Sequence, residues 1–389
     1  MKVLFISGGD YKYGAPKSML TMIEGLREQY HVEIILLTKK KNTLNEYCTQ
    51  HGIENYSFWY RDIMAGSPYT NKILTLAKHS VKYLAFLWGN ATMYNINNLP
   101  IDFSSIDLIH SNTNRQDIGT YIASKYNIKH IWHIREMGKE DYNVLFYKRN
   151  CISFMNKNAD VFIMISNAVK NKWLKMGIDP AKAHTIYDGM ETSVIVPSVK
   201  TNWENKAEIK IVITGHIQPN KGQLHLVKAI AALPINIRSK VTLDIIGEAY
   251  PDYLKKIKEE IIVSNMHDHI HLLGYQDNLI RKLPEYDIGV TCSKAEALGR
   301  CTIEYMLSGL LTIASDTGAN SELIKNGNTG LLYNYDSIAD LSQTILWAIE
   351  HPSECRQIAN NGSATAKVQF SKEQYAKDIY HLYKSCLDQ

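Results

Sequence analysis

From Asp287 to Ser315 the chain reads DIGVTCSKAEALGRCTIEYMLSGLLTIAS, two short apolar runs around a helix-forming segment. The first run, Ile288 to Ser293, ends in small residues and the second, Leu310 to Ser315, is apolar again. The stretch therefore predicts strand, loop, helix and strand, a single βαβ unit. Glu296 falls in the loop, Gly299 where the helix opens, and Glu304 about one turn inside it. A helix that opens after a parallel strand aims free backbone N–H groups and the positive end of its dipole at the crevice beyond the strand ends, which suits a phosphate. The amides of Leu298, Gly299 and Arg300 would form that cradle. A carboxylate one turn further in could accept from both hydroxyls of a ribose attached to the phosphate, and a carboxylate in the loop would reach what lies beyond. Ribose, diphosphate and a further hydroxylated group together describe a nucleotide sugar.

The run EALGRCTIE, continued by IEYMLSGLLTIASDTGANSELIKNGNTGLLY, resembles the E-x7-E signature and glycine-rich follow-on of the retaining GT-B glycosyltransferases of the family-four type. Two glutamates at one spacing alone describe a solvated helix face equally well, so the ordered context carries the resemblance. It implies an α/β fold, GT-B, with two Rossmann-like doubly wound domains facing each other across a cleft. The donor would be held mainly by the second domain, and no cofactor is implied because the nucleotide sugar is a substrate.

A chain of 389 residues is too long for one ordinary core, and two domains are the natural count. A net charge of +4 is too small to imply nucleic acid. Six cysteines are scattered without a C-x-x-C pair, and Cys292 and Cys301 lie in apolar segments, so neither a disulfide frame nor a zinc site is suggested. The sequence starts directly with the strand-like MKVLFIS and has no apolar run of membrane-spanning length. A reducing cytoplasm is the expected compartment.

In chain order, the strand Lys2 to Ser7 leads into a loop with Gly8, Gly9 and Gly14 and a helix from about Pro16. G-x-G-x-x-G is not matched, and the next strand, Val32 to Thr38, ends in Lys39, Lys40 and Lys41 rather than an acid, which argues against nicotinamide binding. The resemblance implies that Gly14 and Ala15 let backbone approach the donor's diphosphate or the acceptor. Asn71 to Asn90 predicts a basic amphipathic helix carrying Lys72, Lys78 and Lys82, expected to pack on the core with a solvated face, the other reading being a membrane-surface helix. HIWHIREM, His130 to Met137, suggests a strand whose end projects polar groups, and His133 matches the position where the family places a histidine beside the transferred sugar. Arg135 and Glu136 are expected to pair with each other or to face an acceptor. HTIYDGME, from His184, ends in Asp188-Gly189 where the family usually shows Asn-Gly, which leaves the side-chain role of Asp188 open.

Polar, aperiodic sequence between Glu191 and Glu208 marks a boundary, dividing the chain into 1–195, a linker 196–208, a second domain 209–370 and a terminal helix 371–389 that the resemblance folds back on the first domain. After the strand Ile209 to Gly215, Lys221 and Gly222 precede a helix; Gly222 frees the backbone and Lys221 offers a point charge to the diphosphate. The family usually places arginine just after the strand's glycine. His216 stands there instead, and a neutral imidazole cannot replace a bidentate guanidinium, so Arg300 is the candidate to supply the missing charge. The segment with Gly274 and Tyr275 is implied to line the nucleobase pocket. No D-x-D occurs, so a metal-bridged diphosphate is not supported. The implied reaction is transfer with retention, Glu296, Lys221 and His133 acting at the reacting sugar. The implied acceptor is a glycan or a lipid-linked glycan, the latter presented at an anionic membrane surface. An epimerase of the same fold and a catalytically silent nucleotide-sugar-binding subunit are the alternatives; a phosphorylase would need a lysine for pyridoxal phosphate.

Overall fold

Short apolar strands joined by crossover helices bury both faces of a parallel sheet, and both halves of the chain adopt that solution. A computed structural model describes residues 1–9, 11, 13–65, 72–138, 145–192, 195 and 206–388. Met1–Met190 with Lys372–Gln389 form one unit and Glu191–Ser371 a second. Residues 196–205 of the expected linker lie outside the described residues.

The first unit's main sheet contains Lys2–Ser7 (β1), Glu33–Thr38 (β2), Glu54–Ser57 (β3), Leu108–Ser111 (β4), Lys129–Ile134 (β5), Val161–Met164 (β6) and Ala183–Thr185 (β7). These strands are parallel in the order β3-β2-β1-β4-β5-β6-β7, with Val3 opposite Ile34 on one side and Leu108 on the other. Alternation along β1 divides the core: Val3 and Phe5 join Met19, Ile23, Ile379 and Tyr383, whereas Leu4 and Ile6 join Phe103, Ile118 and Ile122. The terminal helix Lys372–Leu387 therefore belongs to the first unit's core although it is last in sequence. It packs on the helix Gly14–Tyr30, where a Cβ added at Gly25 would stand 2.7 Å from Cβ of Ala376.

The second unit's sheet contains Ile209–Thr214 (β8), Val241–Ile246 (β9), Ile270–Gly274 (β10), Ile288–Thr291 (β11), Leu311–Ser315 (β12) and Leu331–Tyr333 (β13). Their order, β10-β9-β8-β11-β12-β13, is that of a doubly wound dinucleotide-binding sheet. Strand order reverses between β1 and β4 in the first sheet and between β8 and β11 in the second, so the loops leaving those strands open a crevice at each carboxyl edge.

The amphipathic segment forms the helix Lys72–Thr92, but its expected packing is corrected. Ile73, Leu74, Leu76, Val81, Tyr83, Leu84, Leu87 and Trp88 are exposed, and at about 3.6 residues per turn they fall on one half of the circumference. The helix instead packs through His79 and Phe86, the latter under the Arg61 guanidinium at 4.6 Å from the ring centre. Helical periodicity reveals two faces; it does not say which one the rest of the chain covers.

Gly25→Val is expected to destabilise the first unit by about 1–3 kcal/mol through overpacking against the terminal helix. Urea unfolding followed by fluorescence reads this directly, and an unchanged midpoint would mean that the two helices do not meet as described.

Candidate active site

The loops that follow β8 and β11 touch backbone to backbone. Gly222 has φ +68°, and a Cβ there would lie 2.1 Å from the carbonyl oxygen of Cys292, so both its conformation and its contact require glycine. The amide of Lys294 donates to Asn220 O at 2.9 Å, tying the same loops together. This clasp brings the Lys221 ammonium 2.7 Å from Glu296 Oε2. Ser293 Oγ donates to the same oxygen at 2.7 Å, and the Gly299 amide also donates to this carboxylate. Burial alone would raise the Glu296 pKa, but the Lys221 charge and these hydrogen bonds outweigh it and hold the group below the ordinary carboxylate range. Glu296 is therefore a fixed anion at neutral pH.

Its backbone is fixed as well. Gly318 has φ +58° and lies so close that a Cβ would be 2.3 Å from Glu296 O, while the Ala319 amide donates to that oxygen at 2.8 Å. Sequence reasoning missed the side chains that brace the loop from behind. Ser315 and Thr317 hydroxyls both donate to Ser293 O, at 2.7 and 2.6 Å, and Thr302 donates to Asn320 Oδ1 at 2.9 Å. Ser315, Thr317 and Asn320 belong to a run of small polar residues at and after the end of β12, and Thr302 lies in the preceding helix.

The helix Arg300–Leu307 opens at Gly299 as expected, with Leu298 buried beside it. Arg300 and Glu304 lie on the same helix face with Nη2 and Oε1 3.7 Å apart, each side chain about one quarter exposed. The groups expected at phosphate and ribose thus neighbour one another. His216 is exposed, and its carbonyl accepts from Gln223 Nε2 at 2.9 Å. Gly274 ends the edge strand β10, its carbonyl accepting from Gly247 N at 2.9 Å, and the Tyr275 ring is half exposed. Lys221, Glu296 and Gly299 are brought together, and Arg300 and Glu304 form a second pair.

In the first unit Gly14 and Ala15 begin the first helix, and Ala15 O accepts from Asn112 Nδ2 at 3.2 Å. Asn112 follows β4, next to the end of β5 where His133 and Arg135 stand. The expected pairing of Arg135 with Glu136 is corrected: Glu136 binds Arg115 at 2.6 Å, and Arg135 Nη1 donates to both carboxylate oxygens of Asp188 at 2.7 Å. Arg135 Nε donates to Asn112 Oδ1 at 2.9 Å and Nη2 to Tyr375 OH at 3.1 Å. Asp188 is thus the counter-ion of a fully buried guanidinium, a reason for an acid where asparagine was expected. His133 is buried beside His110, their Nδ1 and Nε2 atoms 3.1 Å apart. Burial, then the Arg135 charge, push both imidazole pKa values well below the ordinary histidine value, so both rings are neutral. His110, Asn112, Tyr375 and Tyr383 were not legible as partners because they are distant in sequence.

The family model for glycosyl transferases group 1 matches residues 198–365, and that for Glycosyltransferase Family 4 matches residues 13–194. An uncharacterized glycosyltransferase of Methanocaldococcus jannaschii is 25% identical over 329 residues, 83% of this chain and 87% of that protein. A capsular polysaccharide biosynthesis glycosyltransferase of Staphylococcus aureus, CapH, is 24% identical over 225 residues, 56% of this chain and 62% of its own. Among solved structures, HepE of Anabaena in complex with UDP and glucose superposes with a TM-score of 0.78 at 20% identity, covering 99% of this chain and 100% of that one.

Removing the counter-ion of a buried charge is costly, so Asp188→Ala is expected to lose about 3–5 kcal/mol of stability. Asp188→Asn, which keeps hydrogen-bonding capacity without charge, is expected to fall between that variant and the parent chain in urea unfolding. Equal stability of all three would remove the ion pair from the account.

Proposed function

Since this chain belongs to the family-four glycosyltransferases of GT-B fold, we propose that it moves a sugar from a nucleotide sugar, a UDP-sugar in the first instance, to a hydroxyl of a lipid-linked glycan during surface polysaccharide assembly. The observation that carries the reading is the Lys221–Glu296 pair at the mouth of the helix Arg300–Leu307, on the switch point of the second sheet. A CapH-like relative acting in capsule synthesis and a fold relative holding UDP and glucose support it.

The chemistry follows from where charge grows. As the glycosidic bond to phosphate breaks, negative charge develops on the leaving diphosphate; Lys221, Arg300 and the amides of Leu298, Gly299 and Arg300, already turned to the bound donor, meet it. Glu304 accepts from the ribose hydroxyls. Because Glu296 already engages Lys221 and the Gly299 amide, the diphosphate competes with it for the same donors, and the freed carboxylate turns to sugar hydroxyls. Transfer is by same-face attack: the departing phosphate oxygen takes the acceptor's proton, the new bond forms with retention, and Glu296 stays unattached. His216 offers no fixed charge on this route, and the transfer needs no metal.

The exposed apolar face of the helix Lys72–Thr92 supports the membrane part of the reading, with Lys78 at its edge; Lys82 lies toward the packed side, 3.9 Å from Asp62, and the side chain of Lys72 lies outside the described residues. Among the described residues no helix is long and apolar enough to cross a membrane, so docking would be peripheral. Lys39 contributes less than expected, since it pairs with Asp62 at 2.8 Å.

Product analysis with UDP-, GDP- and dTDP-sugars and a lipid-linked acceptor, with and without excess EDTA, tests the class. Glu304→Ala is expected to weaken nucleotide binding about tenfold or more in calorimetry. Glu296→Ala, which removes the competitor for Lys221, should keep or tighten that affinity while lowering turnover about a hundredfold. A sugar altered without acceptor would instead favour epimerisation, and loss of activity in EDTA restored by manganese would contradict the metal-free route.

Docking is checked by vesicle co-sedimentation. Each lysine near an anionic surface is worth about 1 kcal/mol, so Lys78→Glu with Lys82→Glu should release the protein from anionic but not alter its weak binding to neutral vesicles. Equal partitioning of parent and variant at low and high salt would place the acceptor away from the membrane.

A further inference from the structure

The charged network of the first unit ends in a hydrogen-bond chain that the proposed reaction has not used. Arg135 carries five N–H protons and no acceptor. Two go to Asp188, one to Asn112 and one to Tyr375; the remaining Nη2 proton faces His133 Nδ1 at 3.4 Å. A guanidinium can only donate, so His133 Nδ1 must be the bare, accepting nitrogen. His110 Nε2, 3.1 Å from the same Nδ1, must then carry its proton. That leaves His110 Nδ1 bare, and it accepts from Tyr383 OH at 2.6 Å. The direction of every bond is set: Tyr383 donates to His110, His110 donates to His133, and the His133 proton is left on Nε2. The opposite arrangement would point a His133 N–H at an Arg135 N–H.

His133 Nε2 is buried and has no hydrogen-bond partner among the described residues, and the same is true of both side-chain polar atoms of Asn114, in the loop after the neighbouring strand β4. Buried polar groups without partners are uncommon, and here three such atoms lie on the carboxyl edge of adjacent strands beside the switch point of the first sheet. A hydroxylated ligand supplies acceptors and donors of the kind they lack.

We propose that Tyr383, His110 and Arg135 are positioning residues that hold His133 as a neutral imidazole protonated on Nε2, so that it can only donate a hydrogen bond, to an oxygen of a hydroxylated ligand at the carboxyl edge of the first sheet. His133 is then neither a base nor a counter-charge to phosphate. The terminal helix, through Tyr383 and Tyr375, sets the chemistry of a strand more than two hundred residues earlier in the chain. The sugar as ligand rests on the nucleotide-sugar reading; the proton arrangement does not.

The test is nitrogen-15 NMR of the full chain labelled at histidine, with His133 assigned by loss of its signals in His133→Gln. His133 is expected to show a bare Nδ1 and a protonated Nε2, and Tyr383→Phe is expected to mix the two tautomers. Protonation on Nδ1, or a pattern indifferent to Tyr383→Phe in a protein of parent-like melting temperature, would overturn the relay. In turnover assays with whichever nucleotide sugar reacts, His110→Leu should lower kcat about three- to tenfold with little change in nucleotide affinity, and His110→Gln, whose amide can still donate to His133, should restore most of it. Equal loss in both variants would reduce His110 to a packing residue and overturn the positioning role. If no nucleotide sugar reacts at all, the functional reading fails while the tautomer measurement still decides the relay.

Discussion

Parallel strands cannot be joined by tight turns, and that constraint governs this molecule. Each crossover returns the chain to the same starting edge, so the loops leaving the strands gather on the carboxyl edge of each sheet. Where strand order reverses, the loops part and leave room. In the second unit the loops after β8 and β11 fill that place with Lys221, Glu296 and Gly299; in the first, the segments after β1, β4 and β5 bring Ala15, Asn112 and Arg135 into one hydrogen-bonded group. The chemistry is thus local to the topology even though its residues are far apart in sequence.

Charge compensation is the second organising constraint. Arg135 with Asp188 is deeply buried, and its worth lies in what breaking it would expose. Lys221 with Glu296 is only partly buried, and Arg300 with Glu304 is looser at 3.7 Å. The gradation matches the uses proposed for them: a buried pair whose partners stay fixed, and two pairs whose members can exchange partners with a diphosphate and its sugars.

Much of this was legible in the sequence. The long apolar strands were, because strands buried on both faces read as continuous runs, and so was the loop-to-helix unit around Glu296, because its chemistry lies within one short stretch. The short strand Glu54–Ser57, ENYS, was not, since its polar edge carries no apolar run. Asp188 could be noticed only as a departure from a pattern, its partner Arg135 being visible only in three dimensions. The relay through Tyr383 was hidden for the same reason: its helical stripe announced packing but not that a hydroxyl on it reaches His110. The helix Lys72–Thr92 had the right period and the wrong expected environment, because a stripe of apolar residues looks alike whether protein or another phase covers it.

The central claim is that a nucleotide sugar lies on the switch point of the second sheet, with its diphosphate at Lys221 and its ribose at Glu304. A crystal structure of the full chain with an unreacted UDP-sugar tests it most directly. The account requires the diphosphate within hydrogen-bond distance of Lys221 Nζ and the amides of Leu298 to Arg300, the ribose hydroxyls on the Glu304 carboxylate, and Glu296 turned from Lys221 toward the sugar. A diphosphate bound elsewhere, with the Lys221–Glu296 contact intact, would contradict it.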